Sequence, residues 1–147
     1  SYIQDVVNDK MKEITTQIVR NKNLIAPRLH LEKLKSYSFD TKGDDGSGAG
    51  QRGLITFDIA NMEVSNIPFI VHDADLMDPI EKPILTELIK LYDSVKKDGM
   101  QTFVSFRSYE FYAEEIRPFL KKCRVIRLES GGNELFGWAW NKEKQDE

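Results

Sequence analysis

Ile67-Pro68-Phe69-Ile70-Val71-His72-Asp73-Ala74-Asp75 passes from an almost wholly apolar run into two carboxylates. Such a short apolar run reads as a strand buried on both faces, the kind found at the centre of a parallel sheet. It would deliver Asp73 at its carboxyl end, and in open α/β sheets ligands bind just outside those ends. Downstream, Asp78-Pro79-Ile80-Glu81 reads as a helix start. Asp78 would cap, Pro79 would take the first helical position, and Glu81 follows three after the cap. That helix is expected to run through Leu85, Leu88, Ile89 and Tyr92 to Asp98-Gly99. Thr102-Phe103-Val104-Ser105-Phe106 reads as the next strand. If the two strands are parallel, Arg107 stands at the same sheet edge as Asp73.

Toward the N-terminus, residues 41–51 contain four glycines and read as a loop. Leu54, Phe57, Ile59, Ala60 and Met62 follow at helical spacing. Before the loop, Leu29/Leu31 and Tyr37/Phe39 alternate with polar residues, as in extended chain interrupted near Lys35. Ile3, Val7, Met11, Ile14 and Ile18 mark one face of a helix that Ala26-Pro27 stops. That stripe suits a helix packed on a core or the last turns of a coiled-coil arm. Toward the C-terminus, Ser108 could cap a helix carrying Phe111, Tyr112 and Ile116, which Pro118 breaks or restarts. Val125-Ile126 with Leu128 reads as a strand, residues 130–133 as a turn, and residues 135–140 as a returning strand. The expected class is α/β, a layered sheet with a mainly parallel centre, an antiparallel C-terminal hairpin and helices packed on it, preceded by an amphipathic helix. The chain divides into a helix over 1–26, an α/β lobe over 27–141 and a frayed polar tail over 142–147.

Composition narrows the function classes. The 147 residues carry 24 acidic and 21 basic side chains, a formal charge of −3. The mild acidity argues against large non-specific nucleic-acid affinity. One cysteine, Cys123, excludes an internal disulfide framework and a Cys-rich zinc site; it reads as packing. No apolar run nears the ~20 residues of a membrane helix, and no signal-peptide pattern opens the chain, so a cytoplasmic, non-membrane protein is expected.

Three places could carry chemistry. Asp73 can hold Mg²⁺ against a nucleotide phosphate, as strand-end aspartates do, while Asp75 follows two residues on. Gly46-Ser47-Gly48-Ala49-Gly50-Gln51 opens a helix, where free N–H groups favour an anion. It is no Walker A, because no Gly-Lys-Ser/Thr ending occurs anywhere in the chain. Arg107 could reach a γ-phosphate or pair with a surface acid. His72 reads as a satisfied structural histidine that could also orient Asp73, and His30 as lying on a strand face. Phe136, Trp138 and Trp140 read as core or an interface edge.

The order of these elements resembles the C-terminal lobe of an ABC-type ATPase head, as in SMC-like and DNA-repair coiled-coil ATPases. More closely, the chain looks like an uncharacterised bacterial family of unknown function found at the C-terminal end of SMC-like proteins. The residues that carry the likeness are Ala26-Pro27, Tyr37 with Phe39, Leu54-Ile55 with Phe57-Asp58, residues 67–73, Leu91-Tyr92, Gln101 with Phe103, and Asn133-Glu134-Leu135-Phe136 with Trp140. By that resemblance, Ser47, Gly48, Gly50 and Gln51 occupy the signature loop, which touches the γ-phosphate bound to the opposite head. Asp73 is the Walker-B magnesium ligand, Asp78 lies near the D-loop, and Arg107 stands where the switch histidine is usual. The first helix becomes the return arm of a coiled coil. ATP and Mg²⁺ belong to the complete protein and are not expected on this fragment. The implied partners are an N-terminal P-loop lobe of the same protein, a second head in a homodimer and, by analogy, DNA.

The chain departs from that pattern in three ways. An extra residue separates Ser47 from Gln51, Ala74 replaces the catalytic glutamate, and the switch histidine is missing. Asp75 would have to position the attacking water from a shifted place. The isolated fragment is expected to be inactive as an ATPase. Two further readings follow from the residues: a non-catalytic interaction or dimerisation domain, and a freestanding Mg²⁺-dependent phosphoryl-transfer or nuclease domain using Asp73 and Asp75. Against the latter, Glu32 is followed by Lys33 where a toprim site needs glycine, and Met77 stands where a dehalogenase needs Thr or Val.

Overall fold

A computed structural model describes residues 1–18, 24–33, 35–41, 43, 46, 48–95 and 99–137. Helix α1, Tyr2–Ile18, buries Val7, Met11, Ile14 and Ile18 against α2, Ala49–Val64. Their spacing of three and four puts them on one helical face. Ile3 lies outside this stripe and is exposed, and the chain is no longer helical by Leu24, ahead of the proline. The polar flank of α1 holds the first hairpin. Asn8 Nδ2 donates to the Leu29 carbonyl and Asn8 Oδ1 accepts from the Leu29 amide, each at 2.9 Å. Gln4 Oε1 accepts the Leu31 amide at 2.8 Å. These bonds satisfy backbone groups of β1, Arg28–Lys33, that its other partner does not reach. That partner is β2, Ser36–Asp40, paired antiparallel with an irregularity between Leu31 and Lys33. Phe39 meets Phe57 edge-on at 5.4 Å, which ties the hairpin to α2.

The centre is the parallel pair β3, Phe69–His72, and β4, Gln101–Val104, in the register Phe69↔Gln101 to His72↔Val104. Strand β3 is not buried on both faces as its composition leads one to expect. Ile70 and His72 point inward, whereas Phe69 and Val71 are 54% and 66% exposed. The cause is that α2 packs on β3 and no described element covers the other face, where Phe103 is also exposed. Between the strands come a single turn, α3, Ala74–Met77, and the long helix α4, Lys82–Ser94. The helix start expected at Asp78 is displaced. Asp78 instead closes α3 by donating its amide to the Ala74 carbonyl at 3.1 Å, and α4 opens at Lys82-Pro83. Pro83 suits a first turn as well as Pro79 does, and between the two helices the Ile80 amide donates to the Met77 carbonyl at 3.0 Å, which closes a turn there. The inner residues of α4, Leu85, Leu88, Ile89 and Tyr92, are those the spacing marks.

After β4, two 3-10 turns, Tyr109–Phe111 and Glu114–Ile116, replace the expected helix, and Pro118 restarts the chain as α5, Arg117–Cys123. Val125, Ile126 and Leu128 do not form the expected strand; they are exposed, and the described residues beyond them contribute one antiparallel bridge, Glu129↔Asn133. Among the described residues, the antiparallel strand pair of this α/β fold is thus the N-terminal hairpin. Cys123 is exposed instead of packed, and of the two readings of Phe136 its exposure removes the core one. Trp138, Trp140 and the tail lie outside the described residues. Among the described residues, no helix is long and apolar enough to cross a membrane.

His72 pins the layers together. Its Nδ1 lies 2.6 Å from the Tyr92 hydroxyl and its Nε2 lies 3.0 Å from Asp58 Oδ2. Burial, and then the Asp58 charge, push the Tyr92 hydroxyl up, so it keeps its proton. The tautomer that carries its proton on Nε2 donates to Asp58 and accepts the Tyr92 hydroxyl at Nδ1, which satisfies both nitrogens of this buried ring. Tyr92→Phe leaves Nδ1 without its donor in a buried site. It is expected to lower unfolding free energy by about 1–3 kcal/mol, read by urea denaturation; an unchanged midpoint would contradict the arrangement.

Candidate functional site

The parallel register fixes what stands at the carboxyl ends of β3 and β4. Since His72 pairs with Val104, the next residues, Asp73 and Ser105, come side by side. The Ser105 amide donates to the His72 carbonyl at 3.0 Å and continues the ladder one step. The Ser105 hydroxyl donates to Asp73 Oδ1 at 2.8 Å and accepts the Ala74 amide at 3.0 Å. Asp73 is exposed, in extended conformation, immediately before α3. The Ser105 hydroxyl holds its carboxyl below the usual aspartate range, with smaller help from the Asp75 and Ala74 amides.

Arg107 reaches the same rim. Its Nη2 lies 3.4 Å from Asp75 Oδ1 and forms an ion pair with Asp78 Oδ2. Its guanidinium lies over the Phe111 ring, 5.8 Å from the centroid, and its amide donates to the Tyr112 hydroxyl at 3.1 Å. Asp75 is 85% exposed at its side chain, so that pair is weak; Asp78, at 26%, is better shielded. Asp78 Oδ1 is buried without a hydrogen-bond partner among the described residues. His72 faces inward toward Asp58 and Tyr92 and makes no side-chain bond to Asp73.

The glycine turn joins this rim through the backbone. Gly48 has φ +99°, and a Cβ there would lie 2.3 Å from the Pro79 carbonyl oxygen, so both its conformation and its neighbour require glycine. Pro79 adjoins Asp78, and through it the turn touches the segment that holds Arg107. Gly50 and Gln51, on the first turn of α2, instead line an open hollow with Phe39, Asp40, Thr41 and Leu54. Ser47 lies outside the described residues. The structure therefore gathers Asp73, Asp75 and Arg107 at one rim with Ser105 and Asp78, sets Gly48 against it, and places Gly50 and Gln51 beside the hairpin. Sequence reading missed Ser105, because its partner is known only once the strand register is known.

The rim offers a metal one good ligand. Among the described residues, no three His, Cys, Asp or Glu side chains are grouped to hold an ion. An exposed, readily ionised Asp73 fits Mg²⁺, which keeps most of its waters and takes one or two carboxylates plus substrate phosphates. NMR titration of the Asp73 carboxyl should give a midpoint below that of an ordinary aspartate, and Ser105→Ala should move it upward, since the lost hydrogen bond favoured the charged form.

No curated protein matches the chain. Solved structures with a similar fold are SMC heads. One, the Smc head domain from Pyrococcus furiosus with an extended coiled coil bound to the C-terminal domain of ScpA, is 14% identical with TM-score 0.52, over 70% of this chain and 28% of that one. Another, from work on ATP-driven dimerization and DNA-stimulated activation of SMC ATPases, is 14% identical with TM-score 0.58, over 90% and 81%. A third, an Smc head bound to the C-winged helix domain of ScpA, gives 14% and 0.53, over 73% and 36%. The chain thus spans about a quarter to a third of two of these heads. Residues 7–140 match a family described as "Uncharacterised protein conserved in bacteria (DUF2326)", and the chain belongs to that family.

Proposed function

We propose that the chain is the C-terminal half of an SMC-like, ABC-type ATPase head, which supplies a magnesium ligand and a modified signature loop to an ATP site completed by a P-loop lobe. One observation carries this reading: Asp73 stands exposed at the end of a parallel strand pair whose outer face, Phe69, Val71 and Phe103, no described element covers. Parallel sheets are covered on both faces. That exposed face, and the lack of a group of metal ligands among the described residues, both fit a site that a further polypeptide segment completes. Fold likeness to SMC heads supports the same reading.

In this reading Asp73 holds Mg²⁺, which when bound would neutralise phosphate charge. Gly48, Gly50 and Gln51, with Ser47, present backbone amides to a phosphate carried by a second head, where missing side chains permit close approach. Arg107 can meet that phosphate only by leaving Asp78 and Asp75. Helix α1 serves as the return arm of a coiled coil. Because it packs along α2, an arm movement reaches the helix that begins at the signature loop. Homodimerisation of heads and action on DNA are carried over from the SMC neighbour described by ATP-driven dimerization and DNA-stimulated activation. A second reading, a head-derived dimerisation domain without turnover, draws on Ala74: the residue after Asp73 is buried and carries no carboxylate. Asp75, the nearest substitute, faces Arg107 in an exposed, weak pair at 3.4 Å.

In the full-length protein, Asp73→Ala should abolish Mg²⁺-dependent ATP binding while the melting temperature is retained; wild-type binding would overturn the reading. ATP binding without measurable phosphate release in the unmutated protein would select the second reading. Gly50 meets nothing within 4 Å of an added Cβ. Gly50→Ala is therefore expected to stabilise the fold by about 0.5–1 kcal/mol yet weaken ATP-dependent association of heads, measured by sedimentation. Undiminished association would remove the loop from the site.

A further inference from the structure

Ser105 belongs to neither the signature loop nor the Walker-B strand, yet it makes three hydrogen bonds at the rim. Its hydroxyl has one proton. The Ala74 amide donates to Oγ at 3.0 Å, which occupies an acceptor position and leaves the hydroxyl proton for Asp73 Oδ1, 2.8 Å away. The Ser105 amide is fixed in turn on the His72 carbonyl at 3.0 Å. His72 is held from below by Tyr92 and Asp58. The serine is therefore anchored at its backbone, and its side chain holds Asp73 by one carboxylate oxygen and Ala74 by its amide.

We infer that Ser105 is a positioning residue for the Asp73 carboxylate, locking its rotamer so that the group meets a divalent cation in one orientation. This inference rests on the proposed magnesium role of Asp73. An exposed aspartate at a strand end otherwise samples several rotamers, and ordering it is a cost that cation binding must meet. A pre-made hydrogen bond removes part of that cost beforehand, as outer-shell partners do for metal-ligating carboxylates. Serine suits the place because a hydroxyl can donate and accept at once. Alanine can do neither. Threonine keeps both functions, and the exposed position of Ser105 gives its methyl room.

The test is Mg²⁺ titration, followed by calorimetry, into the full-length protein with ATP present. Wild type is compared with Ser105→Ala, Ser105→Thr and Asp73→Ala, and the melting temperature of each is recorded. The expected pattern is a Mg²⁺ affinity about 10–100-fold weaker in Ser105→Ala, restored by Ser105→Thr, with ATP binding in the absence of Mg²⁺ unchanged in both. Loss of Mg²⁺ dependence in Asp73→Ala together with wild-type affinity in Ser105→Ala overturns the role of Ser105 and leaves the function standing. Wild-type Mg²⁺ affinity in Asp73→Ala overturns the function and this inference with it. Equal weakening of Mg²⁺-free ATP binding in Ser105→Ala, with no recovery in Ser105→Thr, assigns the serine to the fold alone and also overturns the inference.

Discussion

The buried imidazole of His72 is the constraint on which the rim depends. It joins three elements: its own strand β3, helix α2 through Asp58, and helix α4 through Tyr92. A strand alternates its side chains, so turning His72 inward sends the next residue outward. Asp73 reaches solvent because His72 does not. A one-residue slip of β3 would bury the carboxylate and expose the ring, and the two hydrogen bonds to the ring oppose that slip. The same strand thus sets core and rim through one choice of phase.

Much of the fold is legible in the sequence because hydrophobic period reports burial directly. Val7, Met11, Ile14 and Ile18 mark the inner face of α1, and Leu85, Leu88, Ile89 and Tyr92 that of α4. Where the sequence misleads, the reasons are specific. An apolar run on β3 reads as two-faced burial, but Phe69 and Val71 face no described element. Two prolines, Pro79 and Pro83, compete for one helix start, and propensity alone does not choose between them. Val125, Ile126 and Leu128 have strand composition, yet a strand needs a partner, and none pairs with them among the described residues.

The candidate site is legible in position more than in contact. That Asp73 ends a strand follows from composition, and that Arg107 shares its edge follows once the strands are parallel. That Arg107 is already paired with Asp78 and Asp75, or that Ser105 holds Asp73, depends on register and rotamer. Those are tertiary facts with no local signature. The match over residues 7–140 names a family; what the family does must come from the chemistry of the rim.

The close seating of Gly48 on Pro79 leaves no side chain between the start of α2 and the α3–α4 connection. Pro79 is the neighbour of Asp78, whose carboxylate pairs with the Arg107 guanidinium. A larger residue at position 48 would therefore have to displace the backbone beside the acid that holds Arg107. The demand for glycine at the head of one helix and the charge balance at the sheet rim meet within a few residues.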